Sequence, residues 1–247
     1  MLTLIILTLI AGLSAVIDTI AGGGGLITVP AMLLSGMSPV AALATNKFQA
    51  TFGAGTATWQ FAKHGAYPFR KVVHGIVACM LGAILGTLCV QRIDLGLTRW
   101  LIPIVLSLIW LTLLLSPRLG QQAKKQRCHQ TVFFCMFGLL LGAYDGFLGP
   151  GTGSFWVFAI IAVLGWSFTE ATMHTKLYNF ISNLASLLVF LLAGCIHYKL
   201  GVAMAVGQVA GGYVGSRIVI THGQYWIRPL LLIMTGLMIV ILVARSW

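Results

Sequence analysis

An uncharged apolar run from Leu2 to Ile17 ends on an acid, Asp18, and four glycines follow at Gly22 to Gly25. A related arrangement returns in the second half, where Leu139 to Tyr144 leads into Asp145-Gly146-Phe147-Leu148-Gly149-Pro150-Gly151-Thr152-Gly153. A carboxylate at the centre of a membrane helix costs about 2.5–3.5 kcal/mol even on a lenient scale. Helix-breaking residues beside it add unsatisfied backbone, which lipid tolerates only where it is buried in protein or lines a cavity. Two such breaks point to a binding site at the interface of two repeats.

The remainder of the chain is consistent only with a membrane. Of its 247 residues 59% are hydrophobic and 8% charged, whereas a soluble domain is about 25% charged. With a mean hydropathy of +0.98, lipid must solvate most of the surface. The net charge of +11 is spread over loop positions, the positive-inside pattern rather than a nucleic-acid footprint. Cys79, Cys89, Cys128, Cys135 and Cys195 form no CxxC pair, and the six histidines show no metal spacing, so neither metal nor cofactor is expected. The first run lacks a basic leader and is read as a retained helix, not a cleaved signal.

Apolar segments fall at 2–17, 26–36, 38–62, 72–91, 98–115, 131–144, 154–165, 167–195, 200–220 and 226–244. Segments 26–36 and 154–165 each follow a glycine cluster and are too short to span about 30 Å as helices. They are expected to be broken or re-entrant half-helices. The halves align at a constant offset of 129, as from Lys47 to Lys176. Gly36 then meets Gly165, Gly65 meets Gly194, Gly82 meets Gly211, Gly86 meets Gly215 and Arg99 meets Arg228. The expected fold is an all-α integral membrane protein of two repeats of four to five segments, 1–116 and 131–247, joined by a basic cytoplasmic linker at 117–130. If the short segments cross, the repeats are inverted; if they dip and return, a count of four crossings makes them parallel. In either case the thirteen basic residues other than Lys47 and Lys176 divide nine inside to four outside, so charge does not choose. Inversion is favoured, because it readily exchanges inward and outward states.

Several residues have the right chemistry for an anion. Lys47 and Lys176 each lie nine positions after a serine, Ser38 or Ser167, which places them about 13 Å down a helix. There they can bind an anionic substrate or neutralise Asp18 and Asp145. Asn46, Gln49, Thr175 and Asn179 supply neutral polar groups nearby, and His174 joins the two acids as a proton-coupling or structural group. Buried carboxyls hold a proton more readily than solvated ones. A glycine in a helix interior costs about 1 kcal/mol and a proline about 3. The clusters around Gly23 and Gly24 and around Gly151 should therefore unwind the backbone, and the helix N-termini that follow, near Leu26 and Ser154, can then face an anion. Gly82, Ala83 and Gly86, with Gly211, Gly212 and Gly215, fit close helix packing instead. Glu170, Asp94, Arg99 and Arg228 read as interfacial.

These motifs resemble those of a known family. Asp18 to Leu26 with Pro30, then Ala44-Thr45-Asn46-Lys47, and Asp145 to Phe155 in the second half, are similar to the TauE/SafE family, also called the sulfite exporter or 4-toluene sulfonate uptake permease family. The likeness covers essentially the whole chain and is strongest to its YfcA-like bacterial members. It departs at His174-Thr175, where Ala-His or Ala-Ala is common before the lysine. The resemblance implies a multi-pass inner-membrane carrier duplicated from a four-helix unit, some members being linked to sulfite, sulfoacetate or sulfonates. The expected function is secondary transport of a small, sulfur-containing anion, with the proton as the candidate coupling ion; the alternative is a passive anion channel. No Ser/His/Asp, HExxH or CxxC constellation supports an enzyme, and no GxxxxGK[ST] supports ATP-driven transport. A purely structural role would not require a duplicated polar midplane. Expected partners are the lipid bilayer and the anion, not nucleic acid.

Overall fold

A computed structural model describes residues 1–67, 69–91 and 126–222, with isolated positions at 107–114 and 227–240. Asp94, Arg99, Arg228 and the linker up to residue 125 lie outside the described residues. The described elements are all helical: α1 Leu2–Ala21, α2 Gly25–Leu34, α3 Pro39–Lys63, α4 Phe69–Val90, α5 Gln130–Phe147, α6 Thr152–Ala159, α7 Phe168–Ala193 and α8 Tyr198–His222. A π-helical turn, Ile160–Leu164, extends α6. Among the described residues, four stretches are long and apolar enough to cross a membrane: Leu2–Ala21, Val72–Val90, Gln130–Phe147 and Phe168–Ala193.

Local sequence sets the helix starts. Ser38 caps α3, its side chain accepting from the Ala41 N–H, with Pro39 in the first turn, where a missing N–H costs nothing. Ser167 caps α7 through a reciprocal capping box with Glu170, a known N-terminal signature. Glu170 is thus a cap, more specific than an interfacial residue. The helices end on glycine turns: Gly36 and Gly165, then Gly65 and Gly194, all have positive φ, and each pair is separated by the 129-residue offset. Asp18 and Asp145 lie within the last turns of α1 and α5, not beyond them.

Glycines let the helices approach closely and reveal their directions. Gly207 packs on Thr8 and Gly12, Gly211 on Gly12 and Ala15, and Gly215 on Val16 and Thr19, so α8 runs parallel to α1. Gly75 meets Phe134, Gly82 meets Leu139, and Gly86 meets Phe147, so α4 and α5 are parallel. Gly201 packs on Phe48 and Gly212 on Gly53, aligning α3 with α8. Phe134 stacks on His174 and Tyr178, and further along Asp145 accepts from Ser182; α5 therefore runs with α7. Gly55 meets Phe180, while Thr45 accepts from the His197 N–H beyond the end of α7, so α3 opposes α7. Consequently α1, α3 and α8 point one way, and α4, α5 and α7 the other.

The short helices dip and return. Gly24 sits beside Ser14 and Asp18, whereas Val29 and Met32 share a cluster with Leu7 and Ala11, so α2 runs back along α1. In the second half Phe155 packs on Tyr144 and Trp166 on Phe134, so α6 and its extension run back along α5. Each long–short pair forms a hairpin that returns towards its starting end. With the short helices folded back in this way, α1 and α5 have opposite directions.

Candidate functional site

The two glycine breaks meet. A Cβ on Gly22 would lie 2.5 Å from the Ser154 nitrogen, and one on Gly153 would lie 2.7 Å from the Gly22 Cα. Backbone thus touches backbone where the hairpin tips converge. Gly22 has φ 77° and ψ 165°, a region essentially reserved for glycine. Ser154 Oγ donates to the Ala21 carbonyl at 3.2 Å, tying the second break to the end of α1. Tyr144 OH donates to the Pro150 carbonyl at 2.6 Å and fixes the turn around the proline.

Lysines reach across to these tips. Lys47 Nζ on α3 lies 2.8 Å from Asp145 Oδ1 on α5, and Lys176 Nζ on α7 lies 2.7 Å from Asp18 Oδ2 on α1. Each pair joins a lysine of one half to an acid of the other. Asp145 also accepts from Thr152 Oγ1 at 3.0 Å and from Ser182 Oγ. Asp18 Oδ1 accepts from the Gly24 N–H at 2.9 Å, capping the start of α2. Lys47, Lys176 and Asp145 are buried, while the Asp18 side chain retains 25% exposure. A buried ion pair is retained only with good geometry and extra hydrogen bonds; the Lys47–Asp145 pair has both.

Between the pairs lies a polar cavity of about 30 Å³, room for about two waters. It is lined by Asp18, Gly23, Gly24, Asn46, Lys47, Asp145 and Asn179 among others, so seven of the expected residues converge there. Of the remaining expected residues, all but His174 stand behind this lining or at the hairpin tips. Lys176 reaches it through Asp18. Gln49 Nε2 donates to Asn46 Oδ1 at 2.9 Å, beside Thr28 Oγ1 at 2.6 Å. Gly151 is the left-handed N-cap of α6, and the Thr175 hydroxyl is buried. His174 is placed elsewhere: its ring packs among Tyr67, Phe134 and Trp166, and its Nδ1 bonds the Glu170 carbonyl at 3.0 Å. Among the described residues no group of His, Cys, Asp and Glu is placed to hold a metal.

A family model described as "Sulfite exporter TauE/SafE" matches residues 6–242. The chain belongs to the TauE/SafE family. A "Probable membrane transporter protein" of Haemophilus influenzae is 42% identical over 235 residues, covering 95% of this chain and 92% of the relative. The "Probable membrane transporter protein YfcA" of Escherichia coli K12 is 40% identical over 233 residues, with 94% and 87% covered. The "Probable membrane transporter protein ORF9" of a Sinorhizobium species is 38% identical over 225 residues, with 91% and 86% covered. No solved structure matches. The chain is thus a member of a membrane-transporter family, and its apolar helices fit a membrane.

Some residues of this TauE/SafE site are missed by sequence reasoning. Thr28, Thr152, Asn183 and Gln208 also line the cavity, and Ser182 and Ser14 brace it. Asn183 lies one helical turn beyond Asn179, so i, i+4 spacing from a suspected ligand would have found it. Gln208 gives no comparable signal in the glycine-rich α8.

Proposed function

We propose that the protein is a secondary carrier of a small sulfur-containing oxyanion across a bacterial inner membrane, with a proton as coupling ion. The observation that carries this reading is the reciprocal pair of lysine–aspartate bridges, one buried and one partly exposed at Asp18, flanking one polar cavity at two apposed helix breaks. Two lysines and two aspartates leave these pairs with no net charge. A polyatomic anion needs more room than about two waters, so the cavity must open and a lysine must exchange its carboxylate for the substrate. If the released aspartate takes a proton in the same step, the buried charge stays balanced, which avoids the cost of an unpaired ion in a dry site. The family description names sulfite, which supports the sulfur-anion class.

The chain is read as two inverted repeats, 1–116 and 131–247. The opposed directions of α1 and α5 support this, as do the glycine turns recurring at the 129-residue offset. Lys63, Arg127 and Arg217 lie towards the end where α3 and α8 finish and α5 begins, and Lys199 lies at the other; the positive-inside rule makes the first end cytoplasmic. In a background free of other cysteines, an impermeant thiol reagent is expected to label Cys195 in intact cells. His64→Cys should label only after permeabilisation. The two positions follow equivalent helices, so parallel repeats would put them on the same side, and labelling of both from one side rejects inversion.

Function itself is tested by flux into proteoliposomes, with sulfite, thiosulfate, sulfoacetate and a non-sulfur carboxylate, with and without an imposed pH gradient. Saturable, gradient-dependent movement of a sulfur anion with counterflow is expected. Flux without saturable counterflow would return the channel reading, and no sulfur-anion movement by folded protein would overturn the substrate class.

A further inference from the structure

The charged groups of the cavity are already partnered, but three amides are not. Asn179 and Asn183 on α7 and Gln208 on α8 line the cavity. They are 6%, 8% and 5% exposed, and none of their side chains has a hydrogen-bond partner among the described residues. Asn179 Oδ1 is fully enclosed and unpaired. Asn46 provides the contrast, since its oxygen is saturated by Thr28 and Gln49. A buried amide left unpaired is costly; with Asn179 Oδ1 enclosed and Asn183 and Gln208 lining the same cavity without protein partners, the three form a site completed by what binds there.

We infer that Asn179, Asn183 and Gln208 are the specificity-determining residues, and that they select an oxyanion carrying its own hydrogen-bond donor. The inference rests on the anion-carrier reading and refines it. A carboxamide presents both an acceptor oxygen and donor hydrogens. A bare halide or acceptor-only oxyanion satisfies the NH₂ groups and strands the oxygens. A ligand with a hydroxyl or ammonium group, or an inorganic oxyanion that keeps a proton, satisfies both. Sites built to hydrogen-bond such a group reject the analogue lacking it strongly, because their own polar groups are then left unpaired.

The test is binding by calorimetry to the full chain in nanodiscs. 2-Hydroxyethanesulfonate is compared with ethanesulfonate and chloride, and sulfite is titrated from acid to neutral pH to separate a proton-bearing inorganic ligand from an organic one. The wild type is expected to favour the hydroxylated sulfonate over its plain analogue by at least about tenfold, or to bind sulfite at least tenfold tighter where it is protonated. Gln208→Met and Asn183→Leu, each checked by thermal unfolding, are expected to reduce that preference to about twofold. Because the readout is a ratio between ligands on one protein sample, a general loss of packing does not mimic it, and whichever variant folds suffices. Equal binding of both sulfonates with no preference for protonated sulfite, or an undiminished preference in the variants, overturns the amide assignment while the carrier reading stands. No sulfur-anion binding by folded wild type overturns both.

Discussion

Replacing Lys47 with methionine is expected to abolish substrate flux and to destabilise the protein by about 3–5 kcal/mol, the usual consequence of leaving one member of a buried ion pair alone. Its partner, Asp145, is buried and, among the described residues, would retain Thr152 and Ser182 as donors. Adding Asp145→Asn removes the stranded charge while keeping a group that can bond both hydroxyls. The double variant should therefore recover most of the lost stability, because neutral replacement of a buried pair is often nearly neutral in energy. It should not recover flux, which requires a cation to exchange partners. Lys176→Met should show the same loss of flux with a smaller loss of stability, since Asp18 keeps 25% exposure and water can solvate what the lysine leaves. Proteoliposome uptake and thermal unfolding, measured on each single and double variant, check both limbs. If the double variant transports at the wild-type rate, the pair is scaffolding and the exchange mechanism is wrong.

What was legible in the sequence follows the physics of each feature. Breaks in long apolar runs are visible because glycine and proline have strong intrinsic costs in a helix, so the hairpin tips at Gly22–Gly25 and Gly149–Gly153 could be placed. The mid-helix depth of Lys47 and Lys176 followed from their distance to Ser38 and Ser167, both of which are N-caps. The crosswise pairing was not legible. A constant offset aligns lysine with lysine and acid with acid, but it does not say whether each lysine reaches the acid of its own half. Nor did hydropathy show that α2 runs back along α1, because direction is set by tertiary contacts such as Gly24 against Ser14. His174 has suitable chemistry and lies close in sequence to Lys176, yet it faces an aromatic cluster; on a helix, positions two apart project in different directions.

The closeness of the two glycine breaks can be separated from their backbone strain, because the chain supplies each alone. Gly36 has φ 92° with nothing within 4 Å of where a Cβ would stand, Gly153 has a backbone neighbour at 2.7 Å without positive φ, and Gly22 has both φ 77° and a neighbour at 2.5 Å. Gly36→Ala should therefore lose about 1 kcal/mol of stability to strain and keep its flux within about twofold of the wild type. Gly153→Ala should force the tips apart beside the cavity that Gly153 and Lys47 line, and a displacement of about 1 Å at a site can cost about a hundredfold in rate. A loss of flux of about tenfold or more is expected, with most of the fold retained. Gly22→Ala combines the two effects and should be the most damaging, lowering both folded yield and flux. Thermal unfolding and uptake of the three variants side by side give the answer. If Gly36→Ala and Gly153→Ala reduce flux equally, contact between the tips contributes nothing beyond ordinary turn strain. If only Gly153→Ala and Gly22→Ala do so, the cavity depends on two backbones meeting where neither carries a side chain.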